Sequence, residues 1–504
     1  MKRIFQSIII VAMLVMSVAG ASAANPKHEF RGAWLHIIGQ GQYAKQSTAE
    51  NKAYLIKILD QLKASGCNAV IWQIRPQADA AYVSDIEPWS RWITGTAGKA
   101  PDPLWDPLQF MIDECHKRGM ELHAWINPYR VTSGSSDKPA KGHVYYEHPE
   151  WFVKYADGKI YFDPGLPESR NFIDKVVRDI LTRYDVDAIH MDDYFYPYPK
   201  DDVPFPDQKS FEKYGAGFTN KGDWRRHNVD LLIEQLHNTI HELKPWVQFG
   251  ISPFGIWRNK KNDPDGSDTN GLQCYDALYA DCPSWTAKGW VDYMVPQLYW
   301  ELEHKRASTL ELAYWWDRHA NGRHMYYGQD VMNIMKHPDI AADGGDPRNP
   351  TQLDHKFRLM RKLEHVQGPC WWPGYPIASN SHGVRDSLAN NQQSTPALIP
   401  AYTWLDNVPP APIKHLTLDA DNVLRWEVPA TNDPMQQAVR FVVYRFRQGS
   451  PVNIEDANSI VAITGEQSYK LPNDAGNWQH AVTAVDRCNN ESRAVRLQSK
   501  NIQQ

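Results

Sequence analysis

Two adjacent carboxylates, Asp192 and Asp193, end the apolar run "DAIHMDDYFYP" and are followed by a burst of tyrosines. An acid and an ionised carboxylate placed around one bond are what glycosidic cleavage requires, one donating a proton and the other acting as nucleophile or base. Like charges side by side also raise a carboxyl pKa, which supplies a proton donor near neutrality. In a strand, neighbouring residues face opposite sides, so Ala188, His190, Asp192 and Tyr194 share one face and apolar Ile189 and Met191 the other. Asp192 is then the residue on the inward series, and Asp193 a neighbour that tunes charge or anchors the loop.

The same alternation brings other polar residues to one rim. "DYMVPQLYW" and the next residue give Gln297, Tyr299 and Glu301, with Glu301 last and the expected partner of Asp192. Other short apolar runs give Trp34 and His36, Gln73 and Arg75, His123, Trp125 and Asn127, and Tyr327 and Gln329. Tyr194, Tyr196, Trp300, Trp371 and Trp372 offer flat faces for sugar rings. The expected catalytic set is Asp192, Glu301 and Asp193. The expected substrate-binding set is Gln73, Arg75, His123, Asn127, His190, Tyr194, Gln297, Tyr299, Trp300, Gln329 and Trp371, and no metal or other cofactor is expected. A competing arrangement puts His190, Asp192, Asp193 and His123 around a cation, as in a metal-dependent carbohydrate deacetylase, although no HxH or HxxxH spacing accompanies it. A second alternative is a glycan-binding protein that has lost its acid.

These residues need a scaffold that gathers strand ends. Between Phe30 and about Ile377, short apolar runs alternate eight times with amphipathic helical stretches such as "AYLIKILDQLKASG" and "PLQFMIDECHKRG". Eight such units predict a (β/α)8 barrel, an α/β fold with a parallel sheet, in preference to an open doubly wound sheet. Helix-to-strand links are short ("SGCN", "RGM", "KGW"), whereas the chain leaving strands 2 to 5 is long, notably Val131 to Pro167 and Pro197 to Arg225. Long connections on one face are how such a barrel builds a site.

Beyond the barrel, "VPPAPIKHLTL", "VLRWEV", "RFVVYRF" and "QHAVTAVD" read as alternating strands of a small β-sandwich. The segment resembles a fibronectin type III module, with His480 where that family has its corner tyrosine, and carries no cluster of catalytic residue types. It reads as a spacer or binding module. The expected divisions are a leader at 1–23, the barrel at 24–400 and the sandwich at 405–504.

The 504 residues carry 54 Lys and Arg against 59 Asp and Glu, a net charge of -5 that argues against a nucleic-acid partner. "MKRIFQSIIIVAMLVMSVAGASAANP" has the basic start, apolar stretch and small-residue "ASA" of a cleavable signal peptide. Export to the periplasm or medium is expected. No cysteine precedes Cys67, so a lipid-anchoring cysteine just after the signal is absent, and no later run is long enough to span a bilayer, so no transmembrane anchor is expected in the mature chain. Of the six cysteines, Cys274 with Cys282 and Cys67 with Cys115 could pair, or all could remain buried thiols.

"FRGAWLHI", "NAVIWQIRPQADAAY", "ELHAWINPYR", "DAIHMDDYFYPYP", "VQFGISPFGIWRN" and "DYMVPQLYW" together resemble the glycosyl hydrolase-like family 10 proteins, a group that includes the divisome-localised glycosyl hydrolase. The resemblance covers nearly the whole barrel. It implies a glycosidase barrel acting on a polysaccharide, peptidoglycan glycan strands that have lost their stem peptides. "HMD" also looks like the strand-4 "RLD" of the α-amylase clan, whose aspartate is the nucleophile, and this implies that role for Asp192. The clan's strand-5 acid has no counterpart in "FGISPF".

Overall fold

The computed structural model describes residues 25–336, 351–473 and 477–498. The leader expected at 1–23 lies outside them. Eight parallel strands close into a barrel: β1 (Gly32–Leu35), β2 (Ala69–Arg75), β3 (Glu121–Ile126), β4 (Ala188–Met191), β5 (Gln248–Ile251), β6 (Tyr293–Met294), β7 (His324–Asp330) and β8 (Val366–Trp372). Each pairs with its chain neighbour, and β1 closes the ring on β8 through Gly32 with Cys370 and Ala33 with Trp371. The expected (β/α)8 barrel is the observed fold.

Local chemistry starts the helices that separate the strands. Ser47 accepts from the Glu50 amide while Glu50 reaches back to the Ser47 amide, a reciprocal cap that opens helix Thr48–Ala64. Asp106 caps Pro107–Lys117, with proline at its first position. Alternation divides each strand. Ala33, Leu35, Val70, Trp72, Leu122, Ala124, Ile189 and Met191 join the shell between sheet and helices, whereas Trp34, Ile71, Trp125, Ala188, Tyr293 and Tyr326 form a separate interior cluster.

Gly250 of β5 is what lets Tyr293 lie inside. A Cβ at Gly250 would sit 1.9 Å from the Tyr293 ring, so a side chain there is incompatible with the ring crossing β5 toward β4 and β3.

After the barrel come two antiparallel sheets. One holds β9 (Lys414–Leu418), β10 (Val423–Glu427) and β13 (Ser468–Lys470); the other holds β11 (Arg440–Arg447), β12 (Ile460–Thr464), β14 (Trp478–Val485) and β15 (Val495–Arg496). Leu424 and Trp426 of the first pack with Phe441, Val443 and Val482 of the second, which makes a sandwich. The sandwich docks on the barrel foot, where the strands begin. Arg440 pairs with Glu121 at 3.3 Å and Arg487 with Asp185 at 2.8 Å. The connecting segment seals the same end: Trp404 donates to Asp292 at 2.8 Å, and the Tyr402 and Tyr326 hydroxyls meet at 2.8 Å.

All six cysteines are buried thiols, with Cys274 and Cys282 both against the Ala280 carbonyl at 3.6 and 3.9 Å. Among the described residues, no helix is long and apolar enough to cross a membrane.

Candidate active site

Strand β4 ends at Met191, and Asp192 and Asp193 follow at the barrel mouth, 5% and 3% exposed. They face different neighbours. Asp192 accepts the Trp125 indole N–H at 3.1 Å and the Asn127 amide at 2.9 Å, both from the β3 side. Asp193 accepts the Tyr198 hydroxyl and a Gln297 side-chain hydrogen bond, on the β6 side. The parity rule holds to Asp192. One residue later the chain has left the strand, and Asp193 is buried beside Gln297 instead of turning outward among the helices.

Burial sets the protonation of both. For Asp193, burial and then the Asp192 charge push the pKa up to about 7, against the Tyr198 and Gln297 hydrogen bonds that lower it. Burial also raises Asp192, opposed by the Arg130 charge and by the donors Trp125 and Asn127. Two neighbouring carboxyls whose surroundings separate them in this way can act as proton donor and ionised base.

The floor beneath them is aromatic. Trp372 meets Trp34, His36 and Trp125 at ring separations of 6.5, 4.9 and 6.0 Å. Burial and then the nearby Asp193 charge raise the Tyr299 hydroxyl pKa, and Trp300 stands edge-on to Phe254, which in turn meets Tyr198. Tyr194 lies under the Arg130 guanidinium at 5.1 Å. Asn127, Tyr194, Gln297, Tyr299 and Trp300 are therefore at the mouth, as expected.

Other expected site residues are elsewhere. Arg75 is fully enclosed, bidentate to Glu87 at 2.7 and 2.6 Å, with its remaining nitrogen on the Asn127 and Pro128 carbonyls, so it ties two loops together instead of meeting substrate. Gln73 holds the chain after β1 by accepting from the Ile37 and Ile38 amides, both at 3.1 Å. His190 and His123 are buried in the barrel interior with both ring nitrogens of each engaged: His190 by Trp34 and Tyr293, His123 by Tyr293 and Glu121. Neither is left to ligate a cation with the aspartates.

Strand β7 reverses the expected parity, and β8 turns only one of its two expected rim tryptophans to the cleft. Trp371 packs outward against Phe357 and is register partner of Gln329, while Gly328 faces Trp34 in the interior. Tyr327, Gln329 and Trp371 therefore point toward the helices, and Trp372 is the aromatic that reaches the cleft. Glu301 lies beyond the short β6, half-buried in the turn whose backbone leads into helix Thr309–Arg318. Sequence reasoning passed over Arg130 and Tyr198, whose positions depend on where two loops fold back.

Comparison with known proteins gives the family. The glycosyl hydrolase-like 10 model matches residues 29–343. The chain belongs to the glycosyl hydrolase-like 10 family. Glycosyl hydrolase YngK of Bacillus subtilis (strain 168) is 38% identical over 98% of this chain and 97% of its own length. Glycosyl hydrolase DigH of Escherichia coli (strain K12) is 36% identical over 66% of this chain and 81% of its own. Among solved structures, the PgaB (BpsB) glycoside hydrolase domain from Bordetella bronchiseptica covers 72% of this chain and 98% of its own at 11% identity, with a TM-score of 0.47.

Proposed function

We propose that this family member is an exported glycoside hydrolase that cleaves bacterial cell-wall glycan, peptidoglycan strands lacking stem peptides, at the mouth of the barrel. The observation that carries the reading is the divided pair: Asp192 gripped by two N–H donors and Asp193 buried with its pKa near neutrality. Asp193 is the general acid that protonates the leaving oxygen, and Asp192 is the essential ionised carboxylate. Adjacent carboxyls suit a substrate that brings its own nucleophile. In an N-acetylated sugar the acetamido oxygen attacks the anomeric carbon, the bond to the leaving oxygen breaks as Asp193 gives it a proton, and Asp192 holds the acetamido N–H. The aromatic floor of Trp34, Trp125 and Trp372 takes the sugar face. Glu301, beyond the end of β6, is kept as an alternative acid. The leader sequence supports export.

Incubating the purified protein with glycan strands stripped of stem peptides should release new reducing ends. A thiazoline that mimics the cyclised acetamido intermediate should inhibit. Release without such inhibition would transfer the nucleophile's role to Asp192 itself, and no release at all would favour a glycan-binding protein.

A further inference from the structure

Inside the barrel, polar side chains form one continuous column from the floor of the mouth to the foot. The Trp34 indole N–H donates to His190 Nε2 at 3.2 Å, and His190 Nδ1 meets the Tyr293 hydroxyl at 3.1 Å. The same hydroxyl meets His123 Nδ1 at 2.7 Å, and His123 Nε2 meets the Glu121 carboxylate at 2.9 Å. Below, the other Glu121 oxygen takes the Asn489 amide at 3.0 Å and the Arg440 guanidinium at 3.3 Å, both from the C-terminal sandwich. Glu121, His123, His190 and Tyr293 are all 0% exposed.

Proton counting gives this column a single direction. An indole N–H can only donate, so Nε2 of His190 is bare and its one proton is on Nδ1, directed at Tyr293. Tyr293 has one proton left to give, and His123 Nδ1 is the partner without one. His123 then carries its proton on Nε2, directed at a carboxylate that can only accept. An imidazolium at His123 would leave two N–H groups pointing at the Tyr293 oxygen and no acceptor for the tyrosine's own proton. Each end of the column therefore fixes the tautomers between them, and the lower end is held by residues of another module.

We infer that the C-terminal sandwich is a positioning part of the barrel site: Arg440 and Asn489 fix the Glu121 carboxylate, and the column above it holds Trp34 in the floor from below. The functional meaning of that position rests on the reading of the mouth as the glycan site; the column itself does not.

The test uses the full chain labelled with 15N at histidine. Imidazole correlation spectra should show His190 as the Nδ1–H tautomer and His123 as the Nε2–H tautomer. Arg440→Met should alter the signals of both histidines, including the distant His190, and raise KM for glycan about fivefold, the worth of roughly one hydrogen bond, with kcat nearly unchanged; Arg440→Lys should restore both. A folded Arg440→Met protein with unaltered His190 signals overturns the inference. If that variant does not fold, Tyr293→Phe decides, because it leaves the Glu121 pairing whole: the Nδ1 signals of His190 and His123 must then both shift as each loses its partner, and an unchanged spectrum overturns the inference. Failure to cleave any glycan would count against the proposed function and leave the spectra to judge the column.

Discussion

The Trp125 indole N–H points at Asp192 from 3.1 Å, so a residue of the aromatic floor also helps to keep this carboxylate ionised. Trp125→Phe keeps the ring and removes that donor. Loss of a hydrogen bond to the charged form raises the Asp192 pKa, so activity should begin to fall at a higher pH on the acid side. At the optimum, kcat should drop by about tenfold to a hundredfold, as expected for a hydrogen bond to a charged group. A pH-rate profile of the variant checks both.

Asp192→Asn preserves shape and removes charge. Turnover should fall by about two to four orders of magnitude with the fold intact. Steady-state kinetics beside a melting curve measures this. Equal loss from Glu301→Gln would show that Glu301 shares the chemistry; a small loss would place it outside.

Asp193 carries two linked expectations. As the acid, it should give the rate profile a basic limb at about pH 7, an apparent value that belongs to the coupled pair. Tyr198→Phe removes a bond that lowers this pKa, so the basic limb should move upward. In stability the sign is opposite to that of a paired carboxylate. A pKa raised on folding means that the native state holds the proton more tightly, so stability is lost as pH rises from about 4 toward 7. Melting curves of wild type and Asp193→Asn across that range should therefore converge at low pH and separate toward neutrality, the variant being the more stable.

Arg75 is predicted to matter for folding, not affinity. Arg75→Gln leaves Glu87 buried without its cation, which costs about 3–5 kcal/mol. Chemical denaturation should show this, while the KM of whatever folds stays near that of wild type.

Truncation before Val408 should not yield a silent barrel. It strips Arg440 and Asn489 from Glu121 and opens the barrel foot to water, so the shortened chain should melt well below the full one. Adding Glu121→Gln should recover part of the loss.

The barrel was legible because its signals are redundant: eight apolar runs, amphipathic stretches between them and short return links all agree. Parity placed Trp125, Asn127, Asp192 and Gln297 correctly because each alternates with plainly apolar partners. It failed on β7, where "MYYGQ" puts aromatic or polar residues on both faces and the two-residue period carries no hydrophobic contrast; "CWW" of β8 likewise gives no contrast to choose between its two tryptophans. Nor could it tell a rim residue from a core one. His123 and Asn127 share a face, yet only depth along the strand makes one a link in the column and the other a ligand of Asp192. Arg75 read as a rim cation because its partner, Glu87, comes from a loop twelve residues on, and the path of that loop is not written in a local pattern.

The Tyr293 ring packed against Gly250 also carries a constraint on descent. Because the Tyr293 ring occupies the volume where a side chain at 250 would stand, neither position can drift by itself. Alanine at 250 is admissible only with a smaller residue at 293, and a smaller residue at 293 forfeits the hydroxyl between the two histidines. Bulk at these two sites should be reciprocal across lineages, and a lineage that has exchanged it should have rebuilt both histidines as well.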